Sequence, residues 1–257
     1  DLPVADHDDS ALEALSRTVG AGITFDCATS TLAGRLHRPM HPQAVGVVIV
    51  VGGPQYRVGS HRQFLYLARA AAEAGYATLR FDYRGLGDSA GELKGLADVG
   101  PDIRSAIDAL QAHEPAVRRV VLWGLCDAAT AAAVYAPTDE RVAGLVLANP
   151  WVYSVEGAAK VRLKRYYVQR LSSRDFWKKL GSGGVSLKGA VTGLLGSLRS
   201  AVGGASKEGD GEPVEQGAVI DTTDLAGSIA RSLAAGDEPT LLLLSGEDYT
   251  AAQFDDA

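Results

Sequence analysis

The sequence predicts an α/β fold, a mostly parallel sheet with helices on both faces. Three observations carry that expectation. Apolar, β-branched runs alternate with longer segments of helical periodicity, and the connections between them are short. Some of the runs are apolar without interruption, as strands covered on both faces are; residues 44–51 read AVGVVIVV. The residues with chemical potential fall just after strand ends, where sheets of this kind hold their ligands.

In chain order, residues 1–22 form an N-terminal tail. Residues 23–27 and 31–37 alternate in polarity around Ala28-Thr29-Ser30 and predict a hairpin. Strand 44–51 ends at Gly52-Gly53-Pro54. Ser60 is expected to cap a helix over 61–74 that Gly75 closes. Strand 76–82 follows. A helix over 98–113 then carries Pro101 in its first turn and Ile103, Ile107 and Leu110 on one face. Residues 117–123 read as a strand, Asp127–Tyr135 as a helix and Val142–Ala148 as a strand. After a break, Leu225–Ala235 reads as a helix and 240–244 as a strand.

The break is 151–224, expected to be a cap inserted over the sheet edge. Lys160, Arg162, Lys164, Arg165, Arg170 and Arg174 begin its basic part, whereas acidic residues dominate after 206. Residues 203–217, GGASKEGDGEPVEQG, have the composition of a mobile loop. Tyr166, Tyr167, Phe176 and Trp177 either line an apolar pocket beneath the cap or are ordinary helical packing. The core is thus divided into 23–150 and 225–257.

Composition narrows the function. Of 257 residues, 46% are hydrophobic and 22% charged, enough apolar material for one large core. A net charge of −6 argues against a nucleic-acid partner. DLPVADHDDS lacks the basic and apolar regions of a signal peptide, and no run of 18 apolar residues predicts a transmembrane helix. Two distant cysteines, Cys27 and Cys126, suit a reducing, cytoplasmic setting. Scattered His and Cys residues predict no metal site, and no glycine-rich dinucleotide fingerprint follows the first strands, so no cofactor is expected.

The chemistry centres on RVVLWGLCDAAT, residues 119–130. Cys126 falls between a strand and a helix, with Gly124 and Ala128 two positions to either side. A nucleophile held on a sharp strand-to-helix turn needs small residues at those positions, so G-x-C-x-A reads as a variant of G-x-S-x-G. The competing reading is a buried structural thiol, since free cysteine is among the most buried residue types. As a nucleophile, Cys126 would have the Asp127 N–H aimed at a developing oxyanion, and the helix end would favour its thiolate. The second oxyanion donor is expected from the loop after 51. Pro54 has no N–H, which leaves Gly53 or Gln55.

Gly87-Asp88-Ser89-Ala90-Gly91 matches G-x-S-x-G literally but lacks a strand before it and an apolar helix after it, so it reads as a loop. In TLLLLSGEDYT, Glu247 and Asp248 follow a strand, and a carboxylate there could orient a catalytic histidine or simply be solvated. The histidines are His7, His37, His41, His61 and His113, and none follows the acid, as the chain order of such a triad requires. His61, in the first turn of its helix, reads as a surface or capping residue. The last strand and helix that carry the base in such a fold are therefore expected to be missing.

VVIVVGGPQYRVGSHRQFLYLARAAAEAGYATLRFDYRGLGDSAGE, VVLWGLCDAA and RVAGLVLANPWV together resemble the α/β-hydrolases, and among them the exosortase A system-associated hydrolase 1 group. The resemblance spans about 23–257. GGPQYRVGSHRQF and WGLCDA are its specific stretches, whereas FDYRGLGDS is common to many α/β-hydrolases. It implies an α/β-hydrolase fold in a bacterial cytoplasmic protein linked to exopolysaccharide and protein-sorting gene clusters. It also implies Cys126 as nucleophile and Asp248 as acid. The C-terminal catalytic histidine it implies has no counterpart here, as expected of a truncated or degenerate chain.

Two functions are weighed. In the first, Cys126 attacks the acyl carbon of an ester or thioester, on a small-molecule, lipid or glycan substrate, with the Asp127 N–H and a donor from 53–55 holding the oxyanion. In the second, the chain is a non-catalytic binding module whose basic segment 160–199 contacts an anionic partner, or is merely a solvated charged face.

Overall fold

The structure, a computed structural model, describes residues 20–53, 55–93, 95–152, 224–246 and 248–255. The expected cap, 151–224, lies outside the described residues apart from its ends, and so do the aromatics and basic residues named within it. The tail 1–19, Pro54 and Glu247 lie outside them as well.

In chain order the elements are strands β1 (Ala21–Cys27), β2 (Ser30–His37) and β3 (Val45–Val50), helix α1 (Gln63–Glu73), strand β4 (Thr78–Phe81) and helix α2 (Gly100–His113). Strand β5 (Arg119–Leu125), helix α3 (Asp127–Tyr135) and strand β6 (Val142–Ala148) follow. Helix α4 (Leu225–Ala235), strand β7 (Thr240–Leu243) and helix α5 (Tyr249–Asp255) come last. One seven-stranded sheet has the order β1-β2-β4-β3-β5-β6-β7. The β1–β2 hairpin adds antiparallel to β4, and every other pair is parallel.

Strand periodicity sorts the apolar residues onto the two faces. Val48 and Val50 of β3, with Val120 and Leu122 of β5, join the cluster containing Ile103 and Ile107 of α2 and the alanines of α3. The alternate residues Ile49, Val51 and Trp123 pack with Phe64 and Ala68 of α1 on the other face, where Phe64 and Trp123 meet edge to face at 5.3 Å. Val48, Ile49 and Val50 are all fully buried, each worth about 1.5–3 kcal/mol relative to exposure. The expectation of helices on both faces holds. β7, at the sheet edge, differs: Leu241 to Leu244 are 41–54% exposed.

Register brings the strand ends together. Val50 sits opposite Gly124, Leu125 opposite Ala148, and Ala148 opposite Leu243. The segments leaving β3, β5, β6 and β7 therefore emerge side by side at the carboxyl edge.

Three local expectations fail. Ser60 makes no side-chain cap bond and lies in a 3₁₀ turn, Ser60–Arg62. His61 and Arg62 have φ of 51° and 64°, so α1 begins at Gln63 rather than 61. A left-handed pair cannot form a first helical turn. The stretch after β7, where no helix was read, contains helix α5.

Candidate active site

The elbow is built from its neighbours' smallness. Cys126 joins β5 to α3 with φ 60° and ψ −124°, a conformation that costs a non-glycine residue of order 1–3 kcal/mol. It persists because its ends are tied. The Cys126 N–H donates to Ala148 O at 2.9 Å, and the Cys126 carbonyl accepts from Ala129 N–H at 3.1 Å and Trp151 N–H at 3.2 Å. The Thr130 hydroxyl donates to Trp151 O at 2.7 Å and accepts from Trp151 N–H at 3.0 Å. A Cβ on Gly124 would lie 2.5 Å from the Ala128 carbonyl oxygen, so glycine is required there. Ala128 is itself fully buried.

The thiol is half-buried. Burial pushes the Cys126 pKa up, and the charges of Asp127 and Asp248 add to that, against the smaller opposing pull of the Asp127 N–H and the Thr250 hydroxyl. The expected thiolate is thus corrected. The helix N-terminus acts on Sγ as anticipated but is outweighed by desolvation and two carboxylates.

The predicted oxyanion donors are only partly brought together. The Asp127 N–H opens α3 beside the thiol and favours its ionised form. The Gly53 N–H, with Gly53 at φ 56°, is engaged by the Asp127 carboxylate at 2.6 Å. The other carboxylate oxygen accepts from Ala128 N–H at 3.0 Å. Burial pushes the Asp127 carboxyl pKa up despite these bonds. Gln55 is half-buried, and its Oε1 has no hydrogen-bond partner among the described residues.

The loop bearing Gly53 and Gln55 is anchored from below. Arg57 and Asp82 form a buried ion pair, Arg57 N–H donates to Asp82 Oδ1 at 2.8 Å, and Arg80 donates to Arg57 O at 3.0 Å. Arg57 also reaches Asp88 at 2.6 Å. Ser89 belongs to this scaffold. Its hydroxyl is buried, donates to Asp82 O at 2.7 Å and accepts from Ala33 N–H at 2.9 Å, which is why the literal G-x-S-x-G is structural.

Asp248 stands at the start of α5 and accepts from Ala251 N–H at 3.0 Å. Asn149, absent from the sequence expectations, positions that loop. Its side chain donates to Ser245 Oγ at 3.0 Å and accepts from Ser245 N–H at 2.9 Å. Its φ of 43° was the available signal, since asparagine tolerates the left-handed region, but nothing in ANPW marks a partner 96 residues away. Among the described residues no cluster of metal-ligating side chains occurs. A cavity of about 490 Å³, lined by Arg104, Thr138, Asp139 and Arg141, lies at the amino end of β6, away from Cys126.

A parallel sheet with this strand order and a strained residue at the β5–α3 turn defines an α/β-hydrolase fold. The serine aminopeptidase, S33, family matches residues 42–182, more than half of the chain, and the protein belongs to it. The matched span includes the elbow, where this chain carries Cys126. The α/β-hydrolase GrgF from Penicillium sp. sh18 is similar at 18% identity, with 92% of this chain and 83% of that one covered and a TM-score of 0.57. The Pyrococcus furiosus esterase Pf2001 is similar at 14% identity, with 87% and 80% covered and a TM-score of 0.52. In another crystal form of that esterase only 54% of either chain aligns, at 19% identity and a TM-score of 0.47. The chain thus spans about half the length of some of the solved structures it matches. No curated protein matches it significantly. No helix among the described residues is long and apolar enough to cross a membrane.

Proposed function

We propose that the protein is an acyl hydrolase or transferase that uses Cys126 as nucleophile on an ester or thioester. The observation that carries this reading is the strained Cys126 backbone on the tight turn between β5 and α3, tied at both ends. Its φ 60°, ψ −124° pairing lies outside the left-handed helical region that His61 and Arg62 occupy, and strain of that kind clusters at catalytic turns. Membership of a hydrolase family and the fold shared with an esterase support it. In acylation, the thiol loses its proton to solvent and sulfur attacks the acyl carbon. The S–C bond forms, the bond to the leaving alkoxide or thiolate breaks, and the leaving group takes up a proton. Water then cleaves the thioester to release the acid and restore the thiol, or an acceptor alcohol takes the acyl group.

Asp248 is the acid of this reading and would orient a base supplied beside it. The sequence resemblance supports a role in a bacterial exopolysaccharide or exosortase system, in the cytoplasm. The alternative, a binding module with a basic cap, draws support from the Asp127 carboxylate already seated on the Gly53 N–H.

Iodoacetamide labelling separates the two thiols. Cys27 is buried and its pKa is pushed up by that burial. Wild type is expected to take one label at Cys126 as pH rises, and Cys126→Ala none. Equal labelling of the two proteins contradicts the nucleophile.

A further inference from the structure

The geometry points to the Asp127 carboxylate as a built-in occupant of the oxyanion hole, which the substrate's carbonyl oxygen must displace from the Gly53 N–H before Cys126 is acylated. This rests on the reading of Cys126 as nucleophile and makes Asp127 a positioning residue of that reaction.

An oxyanion hole needs N–H donors about 2.7–3.1 Å from the oxygen that becomes charged. The loop after β3 supplies the Gly53 N–H, and a carboxylate oxygen already accepts from it at 2.6 Å. A carboxylate oxygen and a tetrahedral oxyanion are chemically alike as acceptors, so one N–H aimed at the same spot does not serve both at once. The fit is close. A Cβ on Gly52 would overlap Asp127 Oδ1 and Ala128 N, so the bare Gly52-Gly53 backbone is what admits the carboxylate. Asp127 is also the residue whose own N–H is the other oxyanion donor, and it sits in the first turn of α3. Turning its side chain leaves that N–H in place. The surrounding polar groups are not all satisfied in this state: the Gln55 Oε1 and the buried Tyr83 hydroxyl have no hydrogen-bond partner among the described residues. Tyr83 faces the charges of Asp127 and Asp102. Burial disfavours the charged Asp127 carboxylate, so turning it out toward solvent is favoured when another acceptor takes its place on Gly53.

The consequence is selective. A substrate must present a carbonyl oxygen that accepts from the Gly53 N–H in place of the carboxylate; a group that presents only donors does not compete. The charge of Asp127 also opposes ionisation of Cys126, as do Asp248 and burial. The test must therefore separate the charge from the occupancy.

Single-turnover acylation by p-nitrophenyl acetate is measured for wild type, Asp127→Ala and Asp127→Asn. Each rate is divided by the thiolate fraction from the pH profile of iodoacetamide alkylation. Asp127→Ala frees Gly53 and is expected to acylate at least about tenfold faster per thiolate. Asp127→Asn removes the charge but keeps an acceptor on Gly53, and stays at least about fivefold below the alanine variant. An alanine variant no faster than wild type, with Cys126 still alkylated, overturns the inference and leaves the nucleophile standing. If Cys126 is not alkylated in either protein, both fall.

Wild type gives an independent readout should the variants not fold. With benzaldehyde, the S–C bond forms and the thiol proton passes to the carbonyl oxygen, giving a hemithioacetal on Cys126. A crystal structure is expected to show that oxygen on the Gly53 N–H with Asp127 turned away; Asp127 still bonded to Gly53 contradicts it.

Discussion

Two carboxylates, the buried Asp139 at the amino edge of the sheet and the half-buried Asp127 at the carboxyl edge, are held in opposite ways. Asp139 accepts from Arg141 at 2.8 and 2.9 Å, from the Arg141 N–H at 3.1 Å and from the Tyr135 hydroxyl at 2.5 Å. Burial alone would push its pKa up, but these partners outweigh it and bring it to about 2. Asp127 has backbone N–H partners from Gly53 and Ala128 instead, and burial leaves its pKa raised. The amino edge thus spends its polar groups on neutralising charge. At the carboxyl edge the Arg57–Asp82 pair anchors the loop, but Asp127 lies beside a thiol with no guanidinium bonded to it among the described residues, and the tension sits there.

Mutating the better-satisfied carboxylate has the largest effect. Asp139→Asn leaves Arg141 and Tyr135 short of a charged acceptor and is expected to cost about 3 kcal/mol in urea unfolding. The same pair predicts opposite pH dependence. Asp139, depressed from 3.8 to about 2, contributes roughly 1–2 kcal/mol above pH 4, and this is lost as pH falls toward 2. Asp127, raised in the fold, binds its proton more tightly there than when unfolded. It costs stability once pH rises through its unfolded value, a cost relieved in acid. Unfolding of Asp139→Asn followed against pH is expected to narrow its difference from wild type in acid.

Gly124→Ala comes next, because its Cβ would meet a backbone oxygen of α3 rather than a movable side chain. About 2–3 kcal/mol of destabilisation is expected, with loss of Cys126 alkylation at a pH where wild type reacts. Asn149→Ala removes both bonds to Ser245 and a residue suited to φ 43°. A cost of about 1–2 kcal/mol is expected, and slower acylation at unchanged Cys126 exposure, since the Asp248–Thr250 loop loses its anchor. The smallest effect has the opposite sign. Asp127→Asn is expected to raise stability by about 0.5–1 kcal/mol at neutral pH, measured as a higher Tm.

The strands were legible because burial on both faces writes itself as unbroken β-branched runs: β6 was read at Val142–Ala148, the bounds it has. The elbow was legible for the same reason of local constraint. Gly124 and Ala128 answer to contacts within five residues of each other. The start of α1 was not legible, since the positive φ of His61 and Arg62 is set by where the loop between β3 and α1 must travel. The state of the thiol was hidden too. A helix N-terminus is visible in a sequence; the orientation of the Asp127 side chain and the return of Asp248 and Thr250 from more than 120 positions along the chain are not. The Asn149–Ser245 clamp is hidden by the same long separation.

The most direct measurement is the site of acyl attachment. The protein is treated with p-nitrophenyl acetate, and digested peptides are mapped by mass spectrometry before and after hydroxylamine. The account predicts one acetyl group, on the peptide bearing Cys126, removed by hydroxylamine and absent from Cys126→Ala. Acetylation unchanged in Cys126→Ala, or found at Ser89 or Cys27 instead, would contradict it.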